Sequence, residues 1–253
     1  MNDVLKTIHE RASVRAFDAM PLTKEHEDAI IHAALRAPTA GNMQLYSILR
    51  VKNPETLQKL AVTCDNQPFI AKAPLALVFL ADFQRWHDTY AAAGIRQYSD
   101  DNETDRDGAT TADLVLCICD LMAAAQNAVI AAQSLGVASC YIGDILENFE
   151  THRELFDLPP LAAPVAMLVL GYPKNGKMPQ PRPRFDPGAI VFDEKYRRLD
   201  GAELLGLVEK RENSEPMEWT KRFYQRKNGA PFIQEMVRSV EEMIKSFTGQ
   251  EED

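Results

Sequence analysis

The segment Thr110-Thr-Ala-Asp-Leu-Val-Leu-Cys-Ile-Cys-Asp-Leu-Met-Ala-Ala-Ala-Gln-Asn-Ala-Val-Ile-Ala-Ala-Gln-Ser-Leu-Gly136 decides how this chain folds. Within it Leu114, Cys117, Ile118, Leu121, Met122, Ala125, Val129, Ala132 and Leu135 recur at helical spacing, with small alanines between them. The pattern predicts a long helix over 110–135, ended by Gly136 as a C-terminal cap. Two strands are predicted after it, Ala138 to Ile142 and Val165 to Leu170. Before it, Pro74 to Ala81 is apolar on both alternating sets, the mark of a central strand buried on two faces. Further upstream the chain predicts a short helix over 2–10 and a longer one capped by Thr23 and stopped by Pro38. A turn-rich loop from Pro38 to Gln44 then feeds a strand over Leu45 to Val51, followed by a helix around 54–62. Helix and strand are mixed throughout, and no internal repeat is visible.

Between Trp86 and Thr111 the periodicity fades, and Tyr98 to Gly108 is polar and acidic. This stretch reads as a solvated insertion, with a lid over 91–111 as the functional alternative. Beyond Tyr172 the chain carries Pro173, Pro179, Pro181, Pro183 and Pro187 within fifteen residues, which enforces extended backbone. That composition reads as an arm, so 1–253 is taken as one domain with a C-terminal extension over 173–253. The extension ends in an amphipathic helix whose apolar stripe is Ile233, Met236, Val237, Val240, Met243, Ile244 and Phe247.

The net charge is −9, from 28 basic and 37 acidic residues, which argues against a nucleic-acid surface or an anionic membrane as partner. The N-terminus lacks a secretory signal and no uninterrupted apolar run is long enough to span a bilayer, so a cytoplasmic location is expected. Cys64, Cys117, Cys119 and Cys140 have no zinc or redox-dithiol spacing and are expected as reduced thiols. His9, His26, His32, His87 and His152 stand at no triad or metal spacing, so no catalytic side chain and no metal site is expected.

Against this acidic background arginine is concentrated in two short clusters: Arg11 and Arg15 flanking Ser13, and Arg182 with Arg184. A guanidinium fork binds phosphate oxygens bidentately, and a phosphate monoester carries about −1.5 to −2 at neutral pH. In an extended stretch, alternation puts positions 11, 13 and 15 on one side, with the serine hydroxyl available to a phosphate or ribityl oxygen. The competing reading is a set of ordinary surface salt bridges and, for Arg182 and Arg184, a plain linker.

Five stretches in order carry a resemblance: Arg-Ala-Ser-Val-Arg-Ala-Phe17, Ala-Pro-Thr-Ala-Gly-Asn-Met-Gln44, Ala-Ala-Gln-Asn-Ala-Val-Ile-Ala-Ala-Gln-Ser-Leu-Gly136, Tyr-Ile-Gly143 and Arg-Pro-Arg184. From about residue 8 to 200 the chain resembles the nitroreductase family of FMN-dependent oxidoreductases, in its NADPH-dependent flavin reductase and oxygen-insensitive nitroreductase branch. The resemblance implies an α+β fold with a mixed central sheet flanked by helices, and a homodimer with two FMN sites at its interface. The C-terminal arm and final helix would wrap the partner subunit.

Carried onto this chain, the resemblance implies that Arg11, Ser13, Arg15, Arg182 and Arg184 hold the FMN phosphate and ribityl end. Thr39 and Asn42 would lie on a loop running along the flavin, often from the second subunit, and Gln67 would meet the pyrimidine edge of the ring. Tyr141, Ile142 and Gly143 would pass the ring near N5 through backbone, glycine permitting close approach. Asp144 stands where this branch commonly has a second glycine; pointed inward, it would lower the flavin potential, and otherwise it faces solvent. The implied activity is ping-pong hydride transfer through flavin N5 from NADPH or NADH to small-molecule acceptors: nitroaromatics, quinones or flavins. The alternatives are specialised flavin chemistry such as reductive dehalogenation, or a non-enzymatic FMN sensor or store. Arg211, Arg222 and Arg226 are candidates for a nucleotide 2′-phosphate, against the competing reading of ion pairs with Glu209, Glu212 and Glu218.

Overall fold

Four strands form the sheet, β1 (Tyr46–Val51), β2 (Leu75–Asp82), β3 (Ala138–Ile142) and β4 (Ala162–Gly171), in the order β1-β2-β4-β3. The computed structural model describes residues 1–95 and 108–249. Every ladder is antiparallel, whereas a mixed sheet is what the resemblance implies. Among the described residues parallel pairing is confined to one isolated bridge, Ser13 with Ser139. All eight residues of β2 are buried, as the two-sided apolar run predicts.

Helices cover both faces of that strand. They are α1 (Asp3–Glu10), α2 (Lys24–Leu35), α3 (Pro54–Thr63), α4 (Gln84–Ala92), α5 (Thr111–Ser134), α6 (Phe149–Leu155), α7 (Gly201–Glu212), α8 (Pro216–Asn228) and α9 (Pro231–Thr248). Leu75, Leu77, Phe79 and Ala81 pack with Ile30 and Ala34 of α2, Leu114, Cys117 and Leu121 of α5, and Met243 and Phe247 of α9. Ala76, Val78 and Leu80 pack with Leu57, Leu60 and Ala61 of α3, and with Ile145. A period-two strand sandwiched this way must be apolar on both sides.

The caps are legible in the sequence. The Thr23 hydroxyl accepts from the His26 amide, Asn53 just before Pro54 accepts from the Glu55 and Thr56 amides, and Thr110 forms a reciprocal capping box with Asp113. Gly136 closes α5 with φ +71. By length and composition α5 is apolar enough to cross a bilayer, although Asp113 and Asp120 interrupt its apolar run. One of its faces is nonetheless buried in this chain's own core.

One expectation is corrected. Where periodicity fades beyond Trp86, the structure has α4, which buries no residue fully and so leaves no apolar stripe to read. In the final helix Met243 and Phe247 are buried in the chain's own core. The polar stretch over 98–108 lies outside the described residues up to position 107.

The described chain divides into two compact units, one of Met1–Pro179 with the segment from Glu235 onward, the other of Gln180–Gln234. In the second, the Pro-rich stretch from Gln180 is extended and precedes α7 and α8. Arg211 lies over the Phe185 ring at 3.9 Å and the Trp219 ring at 5.4 Å, and Trp219 stacks on Phe223 at 4.7 Å.

Candidate cofactor site

The Arg11–Arg15 stretch joins the sheet at the edge strand β3. The Val14 amide donates to the Ser139 carbonyl at 3.0 Å, and Ser13 pairs with Ser139. Ala12 and Val14 are buried while Ser13 and Arg15 are exposed and Arg11 is half-buried, so the stretch alternates as its extended character predicts. Arg11 donates to the Ser13 hydroxyl at 3.4 Å, and Arg15 lies over the Phe69 ring at 5.9 Å. Two guanidinium groups and a hydroxyl therefore share one outward edge.

The end of β3 completes this neighbourhood. Burial pushes the Cys140 thiol up, while Arg15, Ser13 and Arg11 pull it down and Asp144 raises it again. Those charges surround one buried sulfur, so the arginine edge and the Asp144 turn lie together. Tyr141 is half-buried, and burial pushes its phenol up to about 12 against the pull of Arg11. Ile142 is buried and pairs with Met167 of β4. Gly143 is exposed, and nothing lies within 4 Å of where a Cβ would stand. Asp144 turns to Gln67, whose amide Nε2 donates to its Oδ2 at 2.6 Å and to the Cys64 carbonyl at 3.0 Å.

Behind the turn lie residues that the sequence did not mark. His152 is fully buried, and burial holds it down to about 4. Its Nδ1 donates to the Ile145 carbonyl at 3.1 Å, so the neutral ring accepts at Nε2 from the Thr63 hydroxyl, 2.7 Å away. Asn148 donates to the Thr63 carbonyl at 2.8 Å. Glu147 is buried, and its Oε1 has no hydrogen-bond partner among the described residues. Burial first, then the negative charges of Asp144, Asp65 and Glu235, push its carboxyl up to about 7.

Thr39 and Asn42 occupy a different neighbourhood, and no hydrogen bond among the described residues links their loop to the Arg11–Arg15 stretch. Gly41, Asn42 and Gln44 all take left-handed φ angles, between 53 and 57 degrees. Side chains from two helices and the loop itself hold this shape. Buried Asp120 of α5 accepts from the Ala40 amide at 2.9 Å and the Leu45 amide at 3.2 Å. Arg85 donates to the Gln44 carbonyl at 2.9 Å, Trp86 to the Met43 carbonyl at 2.8 Å, and the Thr39 hydroxyl accepts from the Gln44 amide at 3.2 Å. Asn42, Met43, Gln44, Arg85 and Trp86 border a cleft of about 340 Å³. An acid within the apolar face of the 110–135 helix, beyond its first turn, is the one sequence signal for Asp120; Arg85 and Trp86 have none.

Arg182 and Arg184 are exposed in the extended start of the second unit. Within that unit Arg211 is paired with Glu212 at 2.6 Å, in line with the ion-pair reading, and Arg226 lies over Phe223 at 5.4 Å. Arg222 donates to the Glu218 carbonyl of its own helix at 3.3 Å.

The fold and site define an α+β protein in which a stretch bearing two arginines and a serine lines the edge strand beside an open glycine turn. The chain belongs to the nitroreductase family, whose model matches residues 8–172. It is 33% identical over 198 residues to an FMN reductase (NADPH) of Bacillus subtilis strain 168, covering 78% of this chain and 75% of that one. It is 31% identical over 200 residues to an NADPH-flavin oxidoreductase of Vibrio harveyi, covering 79% and 77%. The solved structure of nitroreductase A from Vibrio parahaemolyticus superposes with a TM-score of 0.80 at 26% identity, covering 96% of this chain and 98% of that one.

Proposed function

We propose that this protein is an FMN-dependent NAD(P)H oxidoreductase that passes electrons to nitroaromatic, quinone or flavin acceptors. The observation that carries the proposal is the outward edge of Arg11, Ser13 and Arg15 beside the open backbone of Gly143. Its donors suit a phosphate monoester, and the glycine leaves room for a flat ring against the backbone. FMN bound there would supply the hydride-transfer redox chemistry. The chain's own task is positioning. Arg11 and Arg15 neutralise and orient the phosphate, Ser13 adds a hydroxyl, and the backbone of Tyr141, Ile142 and Gly143 supports the ring. Gln67 supplies a side-chain amide at the ring's edge. NADPH is the donor named for both relatives, and NADH is the alternative.

The separation of the Thr39–Gln44 loop from the arginine edge within one chain supports a dimeric site, each protomer lending Thr39 and Asn42 to its partner's flavin. Val115, Leu116 and Met122 on α5, and Val4, Leu5 and Ile8 on α1, are exposed and apolar, the kind of surface that a second copy covers. The four cysteines are free, which suits a reducing cytoplasm.

The test is an anaerobic absorbance titration of FMN-loaded protein with NADPH and NADH, followed by a quinone or nitroaromatic. Bleaching of the flavin by nicotinamide and recovery on addition of acceptor is the expected result. A bound flavin that neither nucleotide bleaches would leave only an FMN store or a specialised chemistry.

A further inference from the structure

We propose that Asp144 is a positioning residue that fixes which atom of the Gln67 side chain is turned toward the flavin. The inference rests on the flavin reading above and deepens it. A glutamine amide has two N–H donors and one carbonyl acceptor. Here both donors are committed, one to the Cys64 carbonyl at 3.0 Å and one to the Asp144 carboxylate at 2.6 Å. Each partner is an oxygen that only accepts, so the amide orientation follows from chemistry: the flipped form would set Oε1 against two other oxygens. Oε1 is what remains for a ligand.

Both ends of this lock are rigid. The Gln67 amide donates to the Ala61 carbonyl at 2.7 Å, and its own carbonyl accepts from Ile70 at 3.1 Å. On the other side, the Asp144 carbonyl accepts from the Glu147 amide at 3.1 Å, and the next carbonyl, that of Ile145, is held by buried His152. The carboxylate is therefore presented to Gln67 by a turn that cannot easily withdraw it.

An edge that offers only an acceptor selects a ring N–H. An edge that offered Nε2 would select a ring carbonyl. The pyrimidine ring of a flavin carries both, and the lock sets its register by choosing the N–H. The Asp144 carboxylate also adds negative charge beside a ring that gains charge on reduction, which disfavours the reduced form.

Substitution separates the two effects. Asp144→Asn keeps an oxygen that can accept from Gln67 and removes the charge. Asp144→Ala removes both, and Asp144→Ser, whose hydroxyl is too short to reach the amide, does so with less disturbance of the turn. FMN affinity by fluorescence titration, midpoint potential, and melting of the apoprotein are measured for all four proteins. The expected result is a dissociation constant raised about tenfold in the Ala and Ser variants, little change in affinity for Asn, a potential moved positive in all three, and melting close to that of the parent. Parent-like affinity in the Ala and Ser variants overturns the proposal, and so does equal weakening in Asn and Ala, which would make charge the whole effect. If the parent itself binds no FMN, the flavin reading fails instead.

Discussion

Glu147 holds its carboxyl inside the fold with Oε1 unpartnered, and its folded-state pKa is about 7 against an ordinary 4.5. The native protein keeps this proton between those values while the unfolded chain releases it. Its contribution is thus fully present below pH 4.5 and is lost as pH rises through about 7. Glu147→Gln, which imitates the protonated side chain, is expected to melt like the parent near pH 5 and above it at pH 8, by up to about 3 kcal/mol in chemical denaturation. A parent as stable as the variant at pH 8 would show that Glu147 finds a partner in solution. Arg15 is the opposite kind of residue, exposed and bound to no carboxylate among the described residues. Arg15→Ala is expected to leave the melting temperature nearly unchanged and to weaken FMN binding by roughly 1.5–3 kcal/mol, the range for a hydrogen bond to a charged group. Arg15 was legible in the sequence because charge and alternation are local properties; Glu147 was not, because its cost arises from what packs over it.

Elements translate those local properties into a site. His152 joins α6 to the turn after β3 and to the end of α3, through Ile145 and Thr63. Its pKa is depressed to about 4, so the unfolded chain takes up a proton near 6.5 that the native protein refuses. Its contribution is present above pH 6.5 and is lost as pH falls toward 4, by up to about 3 kcal/mol. His152→Gln is expected to be less stable than the parent at pH 8 and to show a flatter loss of stability between pH 6.5 and 4; parallel pH profiles would refute this. The Thr39–Gln44 loop is held in the same manner by α4 and α5. Asp120→Asn sets an amide NH₂ against one of two backbone N–H groups, at a cost of about 1–3 kcal/mol. The Ala40 or Leu45 amide should then exchange with deuterium markedly faster while the sheet amides do not. The strands and the long helix could be read from period and caps, since those signals lie within each segment. The clamp on the loop could not, because Asp120 is 75 or more residues from the amides it binds.

At the scale of the whole molecule, α5 has two apolar faces and only one of them is used inside the chain. Leu114, Cys117 and Leu121 enter the core, while Val115, Leu116 and Met122 remain exposed. A helix apolar all round is either buried on every side or covered by something else. The buried Asp120 and the capping box at Thr110 tie it to this fold, and the cover proposed for the exposed face is a second copy of the chain. Burying those side chains contributes at roughly 25 cal/mol per Å² of apolar surface removed from water, less the cost of association. A charge placed in the stripe must be desolvated on assembly, whereas in a monomer it stays in water. Leu116→Glu is therefore expected to shift the protein toward monomer in sedimentation velocity without lowering the melting temperature of the dilute protein by more than a few degrees. If the Thr39–Gln44 loop serves the partner's flavin, the same substitution must also weaken FMN binding, although residue 116 is not itself a candidate ligand residue. A monomeric variant that binds FMN like the parent would return the whole site to a single chain and leave Thr39 and Asn42 without a role in it.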